Sequence, residues 1–76
     1  METRKLFTIA REIMSDWPKP YFGAIPYINA MRALDDIEDN FFDDPGREIV
    51  AYFLGNAQTW RGETARRIKK ELNAML

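Results

Sequence analysis

Apolar residues recur along most of this chain at steps of three and four, which lays one greasy stripe along an α-helix, and prolines cut that pattern into separate pieces. The first stripe is Leu6, Ile9, Ala10, Ile13 and Trp17. It predicts a helix over residues 3–16, stopping near Trp17 because Pro18 disfavours helical geometry in the residue before it. A second stripe, Tyr27, Ala30, Met31, Leu34, Ile37 and Phe41, predicts a helix over 26–40, with Pro26 in the first turn where its missing N–H costs nothing. Asp43-Asp44-Pro45-Gly46 reads as a restart, with Asp44 capping and Pro45 in the next first turn. The third helix, over 45–57, contains Ile49-Val-Ala-Tyr-Phe-Leu54, apolar on every side, which places it centrally in the expected fold. Trp60, Thr64, Ala65, Ile68, Leu72 and Met75 mark a fourth helix over 60–75. The expectation is an all-α, single-domain bundle of four helices with the third at its centre.

Composition narrows function more than fold. A chain of 76 residues has room for one domain, and an apolar share of 46% is enough to offset chain entropy. There is no Cys and no His, which removes a disulfide framework, a thiolate zinc site and the commonest general base. No apolar run approaches the roughly 20 residues of a membrane span, and the first residues are too polar for a signal peptide. A non-membrane protein is expected, and the absence of Cys fits a reducing compartment.

Charge is sorted along the chain although 11 cations nearly balance 12 anions. Between Ala24 and Trp60 stand two cations, Arg32 and Arg47, against seven anions: Asp35, Asp36, Glu38, Asp39, Asp43, Asp44 and Glu48. From Arg61 onward five cations face two anions, Glu63 and Glu71. Glu63 with Arg67, and Arg67 with Glu71, are helical neighbours able to pair locally. In a second helix running to residue 40, Asp35, Asp36, Glu38 and Asp39 crowd the carboxyl end, where each anion costs about 0.3–1 kcal/mol. A wheel begun at Trp60 puts Arg61 in the apolar stripe, where a guanidinium wants a carboxylate. An ion pair of Arg61 with Asp39, or with Asp35 or Glu38, is the structural expectation.

Catalytic patterns fail one by one. A calcium loop begun at Asp36 meets Phe41 where glycine is required and Arg47 where a bidentate glutamate is required. Paired carboxylates lack a cleft, the hydroxyls lack a base, and no glycine-rich phosphate loop is present. No enzyme activity, metal or cofactor is expected. Two binding readings remain. Arg66, Arg67, Lys69 and Lys70 form a basic face on the fourth helix, a candidate contact with a protein partner or a second copy. The same face, with Asn73 in line with Arg66 and Lys70, is the alternative nucleic-acid-binding surface, against which the acidic middle of the chain counts. The connector Trp17-Pro-Lys-Pro-Tyr-Phe-Gly23 serves either as core cover or as an exposed aromatic patch.

Three stretches, Pro26-Tyr-Ile-Asn-Ala-Met31, Ile49-Val-Ala-Tyr-Phe-Leu-Gly-Asn-Ala57 and Trp60-Arg-Gly62 with Ala65-Arg66, resemble small proteins encoded by bacteriophages and prophages. The resemblance spans about Trp17 to Leu76. It implies a bacterial, mobile-element setting and a cytoplasmic home, and carries no assigned activity, cofactor or binding residue. In that setting a small accessory protein acting by protein–protein interaction is expected.

Overall fold

A computed structural model describes residues 3–76. It is mostly helical. The elements are α1 (Leu6–Asp16), a 3₁₀ turn (Phe22–Ala24), α2 (Ile25–Met31), β1 (Asn40–Phe41), β2 (Asp44–Pro45), α3 (Gly46–Gly55) and α4 (Glu63–Met75). The helices pack as α1 on α2, α2 on α3, α3 on α4 and α4 back on α1. They enclose one core that includes Leu6, Ile9, Ile13, Ile28, Met31, Val50, Phe53, Trp60, Ile68 and Leu72. In α3, Ile49, Val50 and Phe53 are buried while Ala51 and Tyr52 face solvent, so the six-residue apolar run is two-sided after all.

The second helix is the main departure from expectation. It ends at Met31, not residue 40, by tightening: Ala33 N–H donates to the Ala30 carbonyl at 3.0 Å, and Leu34 N–H to Met31 at 3.1 Å. Leu34 is buried and Ile37 and Phe41 half-buried, so the stripe points inward although the backbone leaves the helix. The released segment serves two other helices. The Leu34 and Asp35 carbonyls accept the N–H groups of Phe7 at 3.0 Å and Leu6 at 2.9 Å, where α1 has no side-chain cap. The Asp39 carbonyl accepts Gly46 N–H at 2.7 Å, at the start of α3. These amides are free donors at helix ends, and the loop supplies their acceptors. Asp35 and Asp39 therefore lie beside two positive helix ends rather than one negative one, which removes the repulsion. The Asp39 carboxylate accepts the Asp35 and Asp36 N–H groups at 3.2 and 3.0 Å, and Asp36 Oδ1 accepts Glu38 N–H at 2.8 Å.

A two-residue hairpin follows, pairing Asn40 with Pro45 and Phe41 with Asp44. Asp44 therefore lies in a strand, and α3 starts without a side-chain cap. At the other end of the core, α4 begins at Glu63, because Gly62 at φ 113°, ψ −179° holds a backbone conformation closed to other residues. Trp60 precedes the helix and is buried, stacked on Trp17 at 5.7 Å and edge-on to Phe53 at 6.1 Å. Its indole N–H donates to Asp16 Oδ2 at 2.8 Å, and Lys69 Nζ donates to its carbonyl at 2.7 Å, so the ring and its backbone oxygen both have polar partners.

Candidate functional site

The basic face of α4 divides into two pairs. Arg67 crosses to α1, where it pairs with Glu12. Lys69 is half-buried, donating to the Trp60 carbonyl with its ammonium 6.0 Å from the Trp60 ring. Burial, with Arg61 nearby, holds the Lys69 ammonium below its ordinary pKa. Arg66 and Lys70 stay exposed, and among the described residues no ion pair engages either. The local pairs expected on α4 give way to tertiary ones. Glu71 receives a two-pronged bond from Arg4, Nε to Oε2 at 2.8 Å and Nη2 to Oε1 at 2.7 Å. Arg4 Nη1 also lies 2.9 Å from Glu12 Oε1, in charge contact but out of line for a hydrogen bond. Arg4, Glu12, Arg67 and Glu71 thus form one chain of alternating charge tying α1 to α4. Hydrogen bonding from Arg67, helped by Arg4, pulls the Glu12 carboxyl below its ordinary pKa in spite of burial.

Among the described residues no ion pair joins Arg61 to Asp39, Asp35 or Glu38. Arg61 precedes Gly62, lies off the helix whose wheel placed it inward, and is exposed. Asp39 spends its carboxylate on the two backbone amides of its own turn. Arg47 takes Glu38 instead, Nη2 to Oε1 at 2.5 Å.

The aromatic connector also divides. Trp17 packs on the core, whereas Tyr21 and Phe22 are exposed, Phe22 to 76%. A further exposed ring lies on the hairpin, outside the connector. Phe42, the first loop residue of the hairpin, is 86% exposed and sits at φ 57°, a left-handed conformation that bulky side chains rarely adopt. A two-residue hairpin loop demands positive φ there, normally met by Gly or Asn. Phe42 meets the Phe41 ring edge-on at 4.7 Å.

Beside the hairpin lies a cleft of about 290 Å³ between α2 and α3. Ala30 and Ile49 are its buried lining residues; Tyr27, Phe41 and Tyr52 add rings; Asp44 and Glu48 add carboxylates. Tyr27 and Tyr52 meet with ring centres 5.5 Å apart. The sequence signal for this site was the interleaving of Phe41, Asp44, Glu48 and Tyr52 at steps of three and four across a helix start. No helix among the described residues is long and apolar enough to cross a membrane. No protein family, curated protein or solved structure matches this chain.

Proposed function

We propose that this chain is a small, non-catalytic accessory protein of the phage or prophage kind, working in the bacterial cytoplasm by binding another protein. The observation that carries this reading is Phe42: a large ring, 86% exposed, displayed from a two-residue turn in a conformation its side chain disfavours. An apolar ring left in water at a strained position returns little to the stability of the isolated fold, and strain of this kind concentrates at ligand-contacting sites. Phe22, 76% exposed, and Tyr52, 54% exposed, add to the accessible aromatic surface. The scaffold we infer is a bundle organised around α3, whose Ile49, Val50 and Phe53 supply its core face. Against a nucleic-acid role, Arg67 and Lys69 are occupied within the fold, leaving Arg66 and Lys70 on the expected basic face.

The test is affinity capture from bacterial lysate, with and without nuclease, comparing the native chain with a Phe22→Ser/Phe42→Asn double variant. Protein captured after nuclease treatment and lost with the two rings supports the reading. Capture unaffected by ring removal overturns it. Capture abolished by nuclease, with a DNA gel shift lost in Arg66→Glu/Lys70→Glu, transfers the function to the basic face.

A further inference from the structure

We infer that the cleft between α2 and α3 receives an arginine or lysine side chain from a basic segment of the protein partner. The inference rests on the interaction reading above and names the partner's chemistry. Tyr27, Phe41 and Tyr52 present rings to one cleft, with Tyr27 and Tyr52 meeting at 5.5 Å. Aromatic faces attract cations through their negative π-surfaces, and do so more strongly when water is partly excluded. Asp44 and Glu48 stand in the same lining. Among the described residues neither carboxylate has an ion-pair partner, and neither does Asp43 beside them; Arg47 is taken by Glu38. A cleft with rings on its walls and free carboxylates in its lining is complementary to a long side chain with an apolar stem and a positive head. Phe42 stands at the adjacent hairpin tip, where its exposed ring can cover the backbone of an incoming segment.

The probe is a short blocked peptide, acetyl-Gly-Arg-Gly-Arg-Gly-amide, titrated into the isotope-labelled full chain and followed by NMR. A lysine version and a glutamine version run beside it. Saturable shifts are expected at Tyr27, Phe41, Tyr52, Asp44 and Glu48 with the arginine and lysine peptides and not with the glutamine peptide. Binding should weaken at least about threefold in Tyr52→Ala, weaken in Glu48→Gln, and fall as salt is raised because the carboxylates are exposed. Both substituted side chains are exposed, so both variants should keep the fold, and their unperturbed spectra verify it. Equal shifts with the glutamine peptide, shifts confined to other surfaces, or no shifts overturn the proposal. So does a concentration-dependent shift of Tyr27 and Tyr52 without peptide that vanishes in Arg66→Glu/Lys70→Glu, which would make a second copy the occupant. If no cationic peptide binds while ring-dependent capture persists, the cationic occupant falls and the interaction reading stands. If capture is also independent of the rings, both fall.

Discussion

Replacing Gly46 by alanine is the sharpest probe of how the Leu34–Asp39 loop locks onto α3. A Cβ built at Gly46 meets the carbonyl oxygens of Asp39 and Ile37 at 2.9 Å and of Asp36 at 3.2 Å. Close C···O approaches in proteins lie at about 3.3–3.6 Å, so two carbonyls must retreat by about 0.4 Å or more. One of them, Asp39 O, already accepts Gly46 N–H at 2.7 Å and cannot withdraw without stretching that bond. Overpacking of this kind costs about 1–3 kcal/mol, against which the better helix propensity of alanine returns at most about 1 kcal/mol. The net expectation is about 1–2 kcal/mol of destabilisation, and for a domain this small each kcal/mol moves Tm by about 4–8 °C. Gly55→Ala is the internal control: no atom lies within 4 Å of its new Cβ. There the substitution should be neutral or stabilise by up to about 1 kcal/mol. Thermal unfolding followed by far-UV circular dichroism, with urea midpoints alongside, reads both. Because the same loop caps α1, Gly46→Ala should also speed amide exchange at Leu6 and Phe7. A Gly46→Ala protein as stable as the native chain, with normal exchange at those amides, would refute the picture of a loop clamped on two helix ends.

Three other perturbations test separate parts of the fold. Gly62→Ala meets no atom, so its cost is conformational alone; φ 113° should make it about 1–3 kcal/mol destabilising by urea unfolding. Asp16→Ala leaves the buried Trp60 indole N–H without its 2.8 Å acceptor and should cost about 1–3 kcal/mol, with a shift in tryptophan emission. The Glu12 carboxyl titrates below its ordinary value of 4.5 in the folded chain, so its stabilisation is complete above that pH and disappears as pH falls through the lowered folded value. Glu12→Gln should therefore lower Tm at pH 7, by the equivalent of about 0.5–2 kcal/mol for two partly exposed ion contacts, and the gap should narrow as pH falls below 4.5. A gap unchanged by acid would show that the charge contributes nothing.

Burial along the first two apolar stripes was legible in their spacing. The stripe Tyr27, Ala30, Met31, Leu34, Ile37 and Phe41 turns inward along its whole length, as its spacing implied, and Pro18 ends the first helix as expected. Hydrophobic spacing reports which side chains leave water, and it does so whether or not the backbone stays helical. The path of the backbone between Arg32 and Pro45 was settled elsewhere. Local spacing favoured helix there, but the amides of Leu6, Phe7 and Gly46 needed acceptors, and those amides come from parts of the chain that only tertiary packing brings near.

The fate of the charges followed the same division. Their types and order are plain in the chain, and the surplus of anions at residues 35–39 is a conflict only for a helix that runs to residue 40. Its resolution was an N-terminal environment for two helices, not an ion pair to Arg61, and no window of sequence around Asp39 contains that information. Arg67 likewise had a helical neighbour in Glu71, yet paired with Glu12 because α1 lies alongside α4. Apolar spacing alone marked most of the core, and amino-acid identity fixed where proline and glycine interrupt and which residues carry charge, whereas the exposure of Phe42 and Tyr52 did not follow from either. Three-dimensional packing decided which polar groups meet, since hydrogen bonds and ion pairs act over a few ångströms regardless of how many residues separate their ends.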